Sequence, residues 1–125
     1  EYIEWQKHHS VVIVQIEHRD AVASLEAILA VPDVDGFIVG PYDLSASIGK
    51  PGQFEDPEVI QLFDTVAAAI DRSDKPAGIH VVHPDAEVLR QRIREGYTLV
   101  AYGDDMVLYS AAVESLARDI RSCHS

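Results

Sequence analysis

The chain has 125 residues, 47% hydrophobic and 25% charged, which is enough for one domain with a packed core and too little for two. Its 21 acidic and 10 basic side chains leave a formal net charge of −11, which argues against nucleic acid or an anionic membrane surface as partner, since either would need a basic face. An anionic small molecule can still be held by a local device such as a metal ion.

Glu1 to Lys7 reads as the last turns of a helix, with His8-His9-Ser10 turning into a first strand. Val11 to Glu17 is apolar on both faces until Gln15, as in a parallel strand covered on each side. Side chains alternate along a strand, so Gln15 and Glu17 share a face; in a barrel that face is the interior, with Val12, Val14 and Ile16 turned to outer helices. Asp20 or a residue nearby caps a helix from about Ala21 to Ala30 through Val22, Leu25, Ile28 and Leu29. A second strand runs from Val34 to Gly40, followed by a long loop, Pro41 to Gln53, rich in Gly, Ser and Pro. Long loops at strand carboxyl ends tend to be functional.

Asp56-Pro57-Glu58 combines a cap, a proline at the first helical position and an acid in the first turn. It opens a helix to about Arg72, with Val59, Ile60, Phe63, Val66, Ala67 and Ile70 as the buried stripe. Ala77 to Val82 is the third strand, Pro84-Asp85 starts a helix closed by Gly96, and Thr98 to Gly103 is the fourth strand. Asp104 or Asp105 caps a last helix through Ala111, Val113, Leu116 and Ile120. Cys123 is the single cysteine, so no internal disulfide forms. No apolar stretch reaches the roughly 18 residues of a membrane span, and Glu1-Tyr2-Ile3-Glu4 is no signal peptide, so the expectation is a cytoplasmic protein with no membrane partner.

Strict alternation of strand and helix implies α/β architecture with a parallel sheet. Two arrangements fit: an open doubly wound sheet, or half of a (β/α)8 TIM barrel, whose full form needs about 250 residues. Glu17 and Asp43 each follow a buried strand, at the end where parallel sheets bind ligands, and are candidates to share one divalent metal ion.

Three linked motifs carry a family likeness. Val14-Gln15-Ile16-Glu17-His18, then Ile28 to Gly36, then Gly40-Pro41-Tyr42-Asp43-Leu44-Ser45-Ala46-Ser47-Ile48-Gly49 resemble the HpcH/HpaI aldolase family, and the likeness continues through Lys75-Pro76-Ala77-Gly78-Ile79. The resemblance implies a (β/α)8 barrel of the phosphoenolpyruvate/pyruvate-binding superfamily. Residues 1–125 would form its carboxyl-terminal half as one domain. It implies metal ligation by Glu17 and Asp43, contact of Gln15 with a bound 2-oxo acid, and contact of Tyr42 and Asp43 with the substrate carboxylate through backbone amides. Many members carry alanine where Tyr42 stands.

The implied cofactor is Mg²⁺ or Mn²⁺, with Co²⁺ as a further candidate. The implied reaction is class II (divalent-metal-dependent) retro-aldol cleavage of a 4-hydroxy-2-oxo acid to pyruvate and an aldehyde. A homo-oligomer, typically a hexamer, is implied as well. The family's general-base histidine and its arginine belong to the first half of the barrel, so no catalytic residue is assigned here, and His8, His9 and His18 do not take the base role.

Other readings compete. Leu44 to Ser47 reads as a helical turn whose amides face a carboxylate, or as an ordinary serine-bearing turn. His80 and His83, three apart on a strand, face opposite sides and are poor co-ligands. Tyr97, Tyr102 and Tyr109 read as packing residues. A receiver-type phospho-switch needs an acidic pair after its first strand and a lysine after its last, which Glu17-His18 and Gly103-Asp104 do not supply. A non-catalytic half barrel that requires its missing half is the remaining alternative.

Overall fold

The computed structural model describes residues 1–123. Four strands, β1 (Ile13–Ile16), β2 (Gly36–Val39), β3 (Ala77–Val81) and β4 (Leu99–Tyr102), form one parallel sheet in the order β1-β2-β3-β4. A doubly wound sheet reverses its strand order at a switch point. This sheet never reverses, so the barrel-type arrangement is the one adopted.

Seven helices accompany the strands among the described residues: α1 (Tyr2–His9), α2 (Arg19–Ala23), α3 (Leu25–Leu29), α4 (Pro41–Ala46), α5 (Pro57–Ile70), α6 (Ala86–Arg94) and α7 (Asp105–Ser122). The sheet is covered on one face. Ile16, Phe37, Val39, Ala77 and Ile79 alternate onto that face and pack with Val22, Leu25, Leu29, Leu44, Val66 and Ala69 into the core. The opposite face carries Ile13, Gln15, Ile38, His80, Leu99 and Ala101, and both Ile13 and Leu99 are 38% exposed there. An uncovered inner face with strands free at both sides is the geometry of half a barrel.

Several boundaries differ from the sequence reading, each for a local reason. The first helix extends through His9, whose Nδ1 bonds the Trp5 carbonyl at 2.7 Å and whose ring stacks on Trp5. The single helix expected over Ala21 to Ala30 is two short ones broken at Ser24, and its cap is His18, which accepts the Asp20 N–H. Asp56 caps α5 as the sequence indicates, accepting the Glu58 N–H at 2.9 Å. Ile60, expected in the buried stripe, is exposed, and Ala69 takes a buried place instead.

Asp85 accepts the N–H groups of Glu87 and Val88, and Asp104 accepts those of Met106 and Val107. Gly96 closes α6 at φ 92°, a conformation that glycine tolerates without steric cost. Tyr97 is buried, whereas Tyr102 and Tyr109 are exposed and do not pack as expected. α7 buries none of its residues, leaving Met106, Tyr109, Leu116 and Ile120 open to solvent.

Candidate functional site

β1 and β2 end together. Their register pairs Ile16 with Val39, so the next residues, Glu17 and Gly40, stand side by side, joined by the Gly40 N–H donating to the Ile16 carbonyl at 3.1 Å. Gln15 and Glu17 rise on the uncovered inner face, as alternation requires. Gly40 keeps that corner open. A β-carbon there would lie 3.2 Å from Gln15 Nε2, 3.5 Å from Glu17 Cβ and 3.6 Å from Asp43 Oδ2. Three of the sequence-derived candidates, Gln15, Glu17 and Asp43, thus surround one backbone position that lacks a side chain.

Asp43 arrives there on α4, which starts at Pro41 rather than at Leu44. Proline is preset for a first helical position, where its missing N–H costs nothing. The first intrahelical bond is Leu44 N–H to the Gly40 carbonyl at 2.9 Å. Tyr42 and Asp43, at the second and third positions, carry N–H groups that have no acceptor within the helix. The Tyr42 side chain turns away from the carboxylates. It meets Phe54 edge-on at 5.0 Å, and Phe54 meets Phe63 at 6.5 Å. These rings line a cavity of about 470 Å³ with Pro41, Val88 and Arg92. That cavity is of mixed lining, with His80, His83 and Gln91 also on its wall, and none of Gln15, Glu17 and Asp43 lines it.

The loop after Asp43 is closed by its serines. Ser45, fully buried, donates to the Tyr42 carbonyl at 2.8 Å and accepts the Gly52 N–H at 2.9 Å. Ser47 donates to the Leu44 carbonyl at 2.7 Å and accepts the Arg19 N–H at 3.1 Å. Lys50 pairs with Asp56 at 2.7 Å and with Glu58, tying the loop to the start of α5. The Lys50 hydrogen bond, with the Glu58 N–H, holds the Asp56 carboxyl below its ordinary range, and the same two acids raise Lys50.

Among the described residues no hydrogen bond or ion pair engages the side-chain carboxylate of Glu17 or Asp43, and no group of three or more His, Cys, Asp or Glu side chains clusters to hold a metal. Four of the histidines are engaged locally. His18 caps α2, His9 bonds Trp5, His8 faces Glu4 and His80 Nε2 lies 3.1 Å from the Gly103 carbonyl. Asp104 caps α7. Sequence reasoning missed the spatial part played by Gly40, Ser45 and Ser47. The available signal was the run Asp-Leu-Ser-x-Ser after a strand, because turn serines bond nearby backbone.

Comparison with known proteins bears on what this corner belongs to. The profile of the HpcH/HpaI aldolase/citrate lyase family matches residues 3–112. The chain belongs to this family. A pyruvate aldolase of Rhizobium etli is 40% identical over 106 residues, covering 85% of this chain and 41% of the relative. A 2-keto-3-deoxy-L-rhamnonate aldolase of Escherichia coli is 39% identical over 103 residues, covering 82% of this chain and 38% of the relative.

Among solved structures, an HpcH/HpaI aldolase/citrate lyase family protein from Burkholderia cenocepacia superposes with a TM-score of 0.84 at 32% identity, over 96% of this chain and 46% of its own. The chain therefore spans less than half the length of these relatives. Its four strand–helix units correspond to half of the HpcH/HpaI barrel, in agreement with the sequential sheet and its bare inner face. No helix among the described residues is long and apolar enough to cross a membrane.

Proposed function

We propose that residues 1–125 are the carboxyl-terminal half of an HpcH/HpaI barrel and supply the metal- and oxo-acid-binding corner of a class II aldolase. The reaction is reversible cleavage of a 4-hydroxy-2-oxo acid to pyruvate and an aldehyde. The observation that carries the reading is the convergence of Gln15, Glu17 and Asp43 on Gly40. The names of the two curated relatives, both aldolases, support the reaction class.

The donor set fits a hard divalent cation. Glu17 and Asp43 offer oxygen only and have no described protein partner, and the space beside Gly40 is kept free of a side chain. Two carboxylates leave other coordination positions for water and substrate oxygens, which suits Mg²⁺ or Mn²⁺, with Co²⁺ as a further candidate. When bound, such an ion supplies Lewis-acid stabilisation of the charge that develops as the C3–C4 bond breaks.

The chain's own residues bind and orient. Glu17 and Asp43 hold the ion from neighbouring strand ends. Gln15, one strand repeat below Glu17, donates its amide N–H to an oxygen of the 2-oxo acid. The N–H groups of Tyr42 and Asp43, at the start of α4, receive the substrate carboxylate. The tyrosine ring packs outward on Phe54, so this backbone role does not depend on alanine at position 42. The proton leaving the 4-hydroxyl and the proton reaching C3 are handled by a base, and charge by an arginine, from the first half of the barrel. The whole enzyme is a homo-oligomer of the hexameric kind, and Cys123, free and exposed, suits a reducing cytoplasm.

The deciding assay is pyruvate release from a 4-hydroxy-2-oxo acid by the barrel that carries these residues, with Mg²⁺ or Mn²⁺ and again after chelation. Activity should vanish on chelation and in Glu17→Gln or Asp43→Asn. Activity that survives both substitutions together refutes the assignment.

A further inference from the structure

Glu17 directly follows Ile16, the last paired residue of β1, whereas Asp43 lies four residues past Val39 within α4, so sheet hydrogen bonding does not by itself set the gap between them. Past that point the two chains diverge, one into α2 and the other into α4. Among the described residues a single hydrogen bond joins segment 17–24 to segment 41–50, and it runs through Ser47.

The Ser47 hydroxyl accepts the Arg19 N–H at 3.1 Å and donates to the Leu44 carbonyl at 2.7 Å. That uses one donor and one acceptor function of a serine, with nothing left contradictory. Arg19 is the first residue of α2, where the N–H has no intrahelical acceptor, so the bond meets an unmet need. Arg19 lies two residues after Glu17, and Leu44 immediately follows Asp43. The hydroxyl is therefore a bridge of minimal length between the two carboxylate-bearing loops.

We propose that Ser47 is a positioning residue that fixes the spacing of Glu17 and Asp43 and thereby sets the affinity of their corner for a divalent cation. The inference rests on the reading of Glu17 and Asp43 as metal ligands. Alanine at position 47 can neither accept from Arg19 nor donate to Leu44. Threonine can do both.

The test uses the barrel that carries these residues, with Mn²⁺ as the probe. Free Mn²⁺ is followed by electron paramagnetic resonance, Arg19 amide hydrogen exchange by NMR without metal, and the fold by thermal unfolding. In Ser47→Ala, Arg19 exchange should quicken and Mn²⁺ affinity should fall, each by about three- to tenfold, as for one neutral hydrogen bond. The thermal midpoint should fall by no more than a few degrees, and Ser47→Thr should restore exchange, affinity and midpoint together. Ser47→Cys, which keeps the shape with a weaker donor and acceptor, should fall between them and serves if the alanine variant does not fold.

Unchanged Mn²⁺ affinity in Ser47→Ala overturns the proposal, as does unchanged Arg19 exchange. A loss that tracks the thermal midpoint and is not rescued by threonine overturns it too. A wild-type barrel that takes up no Mn²⁺ overturns the metal reading instead, and the two failures are distinguishable because Arg19 exchange is read without metal.

Discussion

Gln15 turns its side-chain amide into space that Gly40 leaves vacant: a β-carbon on Gly40 would stand 3.2 Å from Gln15 Nε2. Gly40 has φ −95° and ψ 95°, a backbone any residue can adopt, so its glycine identity answers to that space and not to backbone strain. Gly40→Ala should fold with near-native stability, because the crowded atom is the mobile end of a side chain. It should weaken binding of the 2-oxo acid by pushing the Gln15 amide aside, while Asp43, at ordinary contact distance, stays in place. Gly78→Ala is the contrast, since its β-carbon would meet the Phe37 carbonyl oxygen at 2.9 Å and Ile38 Cβ at 3.0 Å in the sheet itself. That variant should lose about 1–3 kcal/mol in urea titration. Equal stability losses in the two would refute the distinction.

Ser45→Ala should destabilise the chain by about 1–3 kcal/mol, measured by denaturant unfolding, because it strands a carbonyl and an N–H. Ser45 is wholly buried and satisfies both the Tyr42 carbonyl and the Gly52 N–H, so water cannot readily replace it. Cysteine at this position should recover part of the loss. A neutral effect would mean that the turn is held by the Lys50 N–H to Ser45 carbonyl bond and the aromatic contacts alone.

The loop should loosen in acid. Asp56 is held below its ordinary value of 3.8 by its hydrogen bond from Lys50 and then by the Glu58 N–H. A depressed carboxyl contributes stability above its unfolded value, and that contribution is lost as pH falls through the lower, folded value. Asp85, held down by the N–H groups of Val88 and Glu87, acts in the same window. The urea midpoint of the wild type should therefore drop more steeply below about pH 4 than that of Asp56→Asn, which has no charge to lose. Parallel curves would show that the Lys50 pairing adds nothing to stability.

The isolated chain should self-associate. Its inner sheet face, its strands β1 and β4 at the sheet edges, and the solvent-exposed Met106, Tyr109 and Leu116 of α7 are all open. Sedimentation velocity should find species larger than a monomer. A monodisperse monomer that unfolds cooperatively would contradict this.

Much of this was legible in the chain. The Val11 to Glu17 run and its end at an acid placed Gln15 and Glu17 on one face, and Asp56-Pro57-Glu58 marked the start of α5 to the residue. The break at Ser24 was not legible, because Val22, Leu25 and Leu29 hold a helical spacing whether or not the helix is continuous. Nor was the start of α4: Gly40-Pro41 reads as a loop, and only the Leu44 N–H to Gly40 carbonyl bond makes it a helix cap. The outward turn of Tyr42 depends on Phe54 and Phe63, which lie 12 and 21 residues further on. Partners at that distance leave no periodic trace. The inner-face residues looked like core because strand composition records what the complete barrel would bury.

The β1–β2 pairing has a consequence for the order in which the molecule assembles. Every described residue placed at the carboxylate corner, from Gln15 to Ser47, lies within the first two strand units and the turn that follows them. Pairing β2 with β3 closes a longer stretch of chain than pairing β1 with β2, and loop-closure entropy makes the shorter closure the less costly one. The β1–β2 unit can thus preform the corner before the rest of the sheet that will hold it has formed.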